Sequence, residues 1–78
     1  METQTLEVPK TGTKLGLNEN VYVLEAHRAE NGNIYVLLLI PHSFQPFCVG
    51  LYVGQGSWHN GHYFDNVNEA LYDYMERT

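Results

Sequence analysis

The longest apolar run in the chain is Ile34-Tyr35-Val36-Leu37-Leu38-Leu39-Ile40, and it stops at Pro41. Short apolar runs bounded by turn residues mark strands buried on both faces. Asn31-Gly32 precedes this one, and Asn-Gly is the strongest short hairpin signal. Val21 to Ala29 is therefore predicted as its antiparallel neighbour. A two-residue turn sets Glu30 opposite Asn33, Arg28 opposite Tyr35, Ala26 opposite Leu37 and Leu24 opposite Leu39. Strand side chains alternate between faces. Tyr22, Leu24, Ala26, Tyr35, Leu37 and Leu39 are thus predicted on one face. Val21, Val23, Glu25, His27, Val36, Leu38 and Ile40 are predicted on the other.

Pro41 to Pro46 reads as a loop, with Phe44 either plugging the end of the core or standing out as an anchor. Phe47 to Val53 is a third strand, whose Phe47, Val49, Leu51 and Val53 are expected to join the Tyr35-Leu37-Leu39 face. Gln55-Gly56-Ser57 is a break. Asn60-Gly61 offers a second hairpin signal, joining Trp58-His59 to His62-Tyr63-Phe64 as a short fourth strand or a tight loop. Asn66 to Arg77 carries a helical pattern: Val67, Ala70, Leu71, Tyr74 and Met75 fall at i, i+3, i+4, i+7 and i+8. Asn66 with Glu69 fits a capping box, Asp65 favours the N-terminal end of the helix dipole, and Arg77 favours the C-terminal end.

Residues 1–20 are the least decided. Thr5 to Val8 alternates like a short strand that Pro9 limits. Thr11-Gly12-Thr13 reads as a turn, Leu15-Gly16-Leu17 as an apolar patch and Asn18-Glu19-Asn20 as a polar break. This arm is expected along the sheet edge or across the sheet, with a disordered arm as the alternative. The fold class is then α+β: a small antiparallel sheet of three to five strands with one C-terminal helix packed on one face, in a single domain spanning 1–78. A helix of that length rises about 18 Å, enough to cover one sheet face but not two. The face carrying Val36, Leu38 and Ile40 therefore needs another cover: the arm, a second copy or a partner.

Charge narrows the function classes. Four Lys and Arg stand against nine Asp and Glu, a formal net charge of −5. Gripping phosphate takes a basic stripe, and Lys10, Lys14, Arg28 and Arg77 are scattered. Direct nucleic-acid binding is not expected, whereas a basic protein partner is, since opposite charge speeds encounter. Cys48 stands alone, so no intrachain disulfide or Cys-based zinc set is available. No signal-like N-terminus and no apolar run near the ~20 residues of a membrane span occurs. The expectation is a cytoplasmic protein without a membrane segment.

Candidate chemistry is sparse. A hairpin at Asn60-Gly61 would oppose His59 and His62 at roughly 5 Å, with Asp65 as a third ligand for zinc, nickel or copper. Two polar turn residues in solvent is the commoner meaning. Cys48 with His27 or His42 would make a thiol dyad, although nothing in the spacing joins them. Glu25 and His27 share a face but lack a nucleophile or an orienting group. Asp65, Glu69, Asp73 and Glu76 form an acidic helix stripe, either a docking edge or a solvated face. Trp58, Tyr63 and Phe64 either close the core or contribute a hot spot. No phosphate loop, dinucleotide fingerprint, zinc-protease helix, nucleophile elbow or internal repeat is present.

The layout, a few strands followed by Tyr63-Phe64-Asp65 leading into one C-terminal helix, resembles short accessory proteins of bacteriophages and plasmids. Some of those inhibit host defence, as anti-CRISPR proteins do. The resemblance implies a class, and no residue roles. The expected function is a non-enzymatic, cofactor-free interaction module that blocks a basic nucleic-acid-handling protein. Its expected contacts are Glu69, Asp73, Glu76, Trp58, Phe44, Val36, Leu38 and Ile40. The alternatives are a homodimeric structural subunit, paired through Val36, Leu38 and Ile40, and a small metal protein or enzyme using His59 and His62.

Overall fold

The strands follow one another across a single antiparallel sheet. Its order is β1 (Tyr22–Arg28), β2 (Ile34–Leu39), β3 (Phe47–Gly54) and β4 (Ser57–Phe64), followed by helix α1 (Val67–Arg77). This computed structural model describes residues 7–15, 20–54 and 56–77. The α+β class and the C-terminal helix on the sheet agree with the sequence pattern.

The first hairpin differs from expectation by one residue. Ala29 N–H donates to Asn33 O at 2.7 Å, and Gly32 N–H donates to Ala29 O at 2.9 Å. Glu30-Asn31-Gly32 therefore forms a three-residue loop, with Gly32 at φ +91° supplying the left-handed step. Arg28 now pairs with Ile34, His27 with Tyr35 and Ala26 with Val36. That slip moves Ala26 to the Val36 face and carries His27 and Glu25 to the Tyr35 and Leu37 face. A bulge between Val23 and Glu25 then absorbs the slip, so Val23 still pairs with Leu38 and Tyr22 with Leu39. The turn and the bulge cancel, which returns Val21 and Val23 to their predicted face.

Asn60-Gly61 is not a turn. The second hairpin closes at Gly54 and Ser57, with Gly54 and Gly56 both at positive φ (95° and 74°). β4 runs straight through Asn60-Gly61 as a bulge: Val49 pairs with His62 and Leu51 with His59, leaving two residues opposite Gly50. Asn60 takes the left-handed conformation at φ 55°, which Asn tolerates better than most residues.

The two sheet faces are covered differently. Val21, Val23, Ile34, Val36, Leu38 and Cys48 form one buried cluster, with Val8 and Leu15 of the arm and Trp58 packed against it. The arm also hydrogen-bonds the outer edge of β1. Gly12 N–H donates to Val23 O (2.7 Å), Val23 N–H to Thr13 O (2.9 Å) and Leu15 N–H to Val21 O (2.7 Å). Among the described residues, then, the arm is the cover that the Val36-Leu38 face required. Of the remaining arm expectations, residues 5, 6 and 16–19 lie outside the described residues.

The other face buries Leu37 and Val49 under Ala70 and Tyr74, flanked by Leu24, Tyr35, Phe47 and Phe64. Asn66 caps α1, its Oδ1 accepting from the Asn68 N–H (2.7 Å) and the Glu69 N–H (3.4 Å). The buried side of α1 is turned by roughly 60° from the predicted stripe, on a wheel of about 100° per residue. Ala70 is fully buried, but Val67, Leu71 and Met75 are 42 %, 39 % and 65 % exposed. The cause lies at Asp73, whose Oδ2 accepts from Arg77 Nε at 3.0 Å and sits 3.7 Å from His62 Nδ1 on β4. This contact holds the Asp73 edge of the helix toward β4, and Ala70 lets the backbone approach Leu37 and Val49.

Candidate interaction surface

Each sequence-derived candidate now has a place. Val36 and Leu38 are fully buried and Ile40 is half-buried, all packed within the arm-covered cluster. They are interior residues of one chain, not a surface for a partner. Trp58 is half-buried on the same side and lies across Gly50. A Cβ placed on Gly50 would sit 2.8 Å from Trp58 Cδ1 and 3.2 Å from His59 O. Trp58 therefore closes the core. Phe44 is 99 % exposed in the β2–β3 loop, an anchor rather than a plug.

The acidic stripe divides. Glu69 and Glu76 are exposed, whereas Asp73 is half-buried in its contacts with Arg77 and His62. Asp73 is thus a fastener between α1 and β4. His59 and His62 do not face each other across a turn; they lie on one strand, on either side of its bulge. Asp65 is exposed at the start of α1. Among the described residues, no group of three or more His, Cys, Asp or Glu is placed to hold a metal ion.

The sheet separates the residues proposed for a thiol dyad. Cys48 pairs with Leu38 on the arm side, while His27 pairs with Tyr35 on the helix side. Burial pushes the Cys48 thiol up, outweighing the opposing hydrogen bonds from Tyr63 and Trp58. A buried, neutral thiol is a poor nucleophile. Labelling of Cys48 by a disulfide reagent at neutral pH is expected to run at least about a hundredfold slower in the native chain than in denaturant, because it must await opening. Equal rates would place the thiol on the surface.

Glu25 and His27 stand exposed on the helix side of β1. Tyr74, buried beneath α1, is pushed up to about 12, first by burial and then by the charge of Glu25. The raised value fixes the sign of a pH effect. Stability from the neutral phenol is complete below pH 10, its ordinary value, and is lost as pH rises toward about 12. Thermal melts should therefore show a decline in that window that Tyr74→Phe lacks. An identical decline in both would remove Tyr74 as its source.

What sequence reasoning missed is the outward side of the helix. Val67, Leu71, Tyr72 and Met75 are all exposed, and with Asn68 they occupy an arc of about 140° that carries no charge. Glu69 and Glu76 border it. The arc reads as core by periodicity alone, and only the Asp73 fastening turns it outward. No helix among the described residues is long and apolar enough to cross a membrane. Compared with protein-family models, curated proteins and solved structures, the chain matches none.

Proposed function

We propose that this chain is a non-enzymatic interaction protein that acts by occupying the surface of a basic, nucleic-acid-handling protein. An inhibitor or accessory role of the phage or plasmid kind fits that chemistry. The observation that carries the reading is the uncharged, exposed arc of α1 (Val67, Leu71, Tyr72, Met75) bordered by Glu69 and Glu76. Exposed apolar side chains gathered on one element mark contact surfaces more often than scattered ones do. Tyr and Met are enriched in such surfaces. The net charge of −5 favours a basic partner. Pairing of two copies through Val36, Leu38 and Ile40 would require first displacing the arm that packs there.

The test uses partner captured from the cell of origin. Glu69→Lys with Glu76→Lys should slow association with that partner by about tenfold or more at low salt, with the loss shrinking at high salt and the melting temperature unchanged. Asp73 is left intact because its substitution would also loosen α1 from β4. Unchanged association would reduce the acidic edge to a solvated face. A hydrolytic or transferase activity lost on substitution of one His or Cys would overturn the reading.

A further inference from the structure

The helix does not cover its own side of the sheet. α1 lies over β2, β3 and β4 and not over β1. Strands are spaced about 4.8 Å apart, so β1 lies roughly 10 Å from β3, near the middle of the helix footprint. Packed helices sit 8–10 Å apart, so the space over β1 is about the width of one more helix. Its floor is Tyr22, Leu24 and Leu39, all half-buried. Pairing of Tyr22 with Leu39, and packing of Leu24 against the helix-side cluster, put these three residues on that side. Its wall is Val67 and Leu71, 42 % and 39 % exposed. On the helical wheel both lie on the side away from Asp73, which is held to β4, and so they overhang β1.

We infer that this trough between β1 and α1 receives an amphipathic helix of a protein partner, about three turns long, with apolar residues inward and Lys or Arg along one edge. The inference rests on the interaction reading above and names its docking element. Length follows from the walls: α1 has 11 residues and rises about 16 Å, so three turns span it. Charge selects the occupant. Glu25 stands exposed on β1 at the trough and calls for a cation opposite it. A second copy is disfavoured on the same ground, because its exposed α1 surface would bring Glu69 and Glu76 toward Glu25. Helix-in-groove recognition needs only such an apolar channel with a charged border.

The probe is a labelled fourteen-residue helical peptide of Leu at i, i+3, i+4 and i+7 spacing with Lys elsewhere, and its Glu counterpart, titrated onto the full chain by fluorescence anisotropy. The Lys peptide should bind at least tenfold more tightly than the Glu peptide. Glu25→Lys and Leu71→Arg, both at exposed positions, should each weaken it tenfold or more, while Glu76→Lys on the far side of α1 changes it less than threefold. All variants are checked for an unchanged melting temperature, and Leu71→Gln replaces Leu71→Arg if that fold is lost. Equal binding of the two peptides, or undiminished binding by both trough variants, overturns the inference. So does a trough that binds neither peptide while the Glu69→Lys, Glu76→Lys chain still loses its captured partner, a result that leaves the interaction reading standing.

Discussion

Leu38→Ala should cost about 2–5 kcal/mol, the range for removing a fully buried leucine and leaving a cavity behind. Leu38 is 0 % exposed within a single chain. It pairs with Val23 and Cys48 and shares its cluster with Val36 and the arm residues Val8 and Leu15. A chain of 78 residues has a total stability of about 4–12 kcal/mol, so this one substitution removes a large share. At about 4–8 °C per kcal/mol, the melting temperature should fall by 10 °C or more. The loss should not depend on protein concentration. A concentration-dependent melting temperature in the native chain would instead mean that a second copy completes this face.

Gly50→Ala should be the next most damaging change, although it adds only one carbon. That carbon would meet Trp58 Cδ1 at 2.8 Å and the His59 carbonyl oxygen at 3.2 Å. Neither can yield easily. The indole is hemmed in by Gly61, where a Cβ would stand 3.2 Å from Trp58 Nε1, and the carbonyl belongs to the β4 backbone at its bulge. Overpacking of this kind costs about 1–3 kcal/mol. Equilibrium unfolding in urea would read it as a lowered midpoint, with Trp58 fluorescence following the same transition. If Gly50→Ala is as stable as the native chain, Trp58 does not lie across β3. Adding Trp58→Phe should restore part of the loss by making room, as coupled neighbours do.

The parts of the fold legible in the sequence were those set by period and by strong local signals. The β2 run, the division of β2 and β3 between two faces, and the capped helix all follow from spacing. The turns did not, because Asn-Gly serves two purposes. Asn31-Gly32 ends a three-residue loop instead of forming a two-residue one, and Asn60-Gly61 makes a bulge inside a strand. Both need left-handed backbone, so the dipeptide announces a conformation and not its setting. Glu25 and His27 changed faces with that one-residue slip. The cover of the second face was left open among three candidates, since residues 7–15 show no strong period, and hydrogen bonds to the β1 edge decide it.

The candidate surface was less legible than the fold. Val67 and Leu71 belong to the apolar stripe that periodicity assigns to the core, yet both are substantially exposed. A helix can present only about a third of its circumference to a sheet. Which third is buried depends on tertiary contacts, here the meeting of Asp73 with His62 and Arg77. No local pattern marks that contact. The unsatisfied cover inferred from the apolar run is therefore real but displaced. It lies over β1 on the helix side, and not on the face of Val36, Leu38 and Ile40.

The most direct test of the account is a residue-resolved amide nitrogen–proton spectrum of the full chain titrated with the Lys-rich helical peptide. The account predicts shifts concentrated at Tyr22, Leu24, Leu39, Val67 and Leu71, with Val8, Leu15, Val36 and Trp58 unmoved. Shifts centred on the arm-covered side would contradict it.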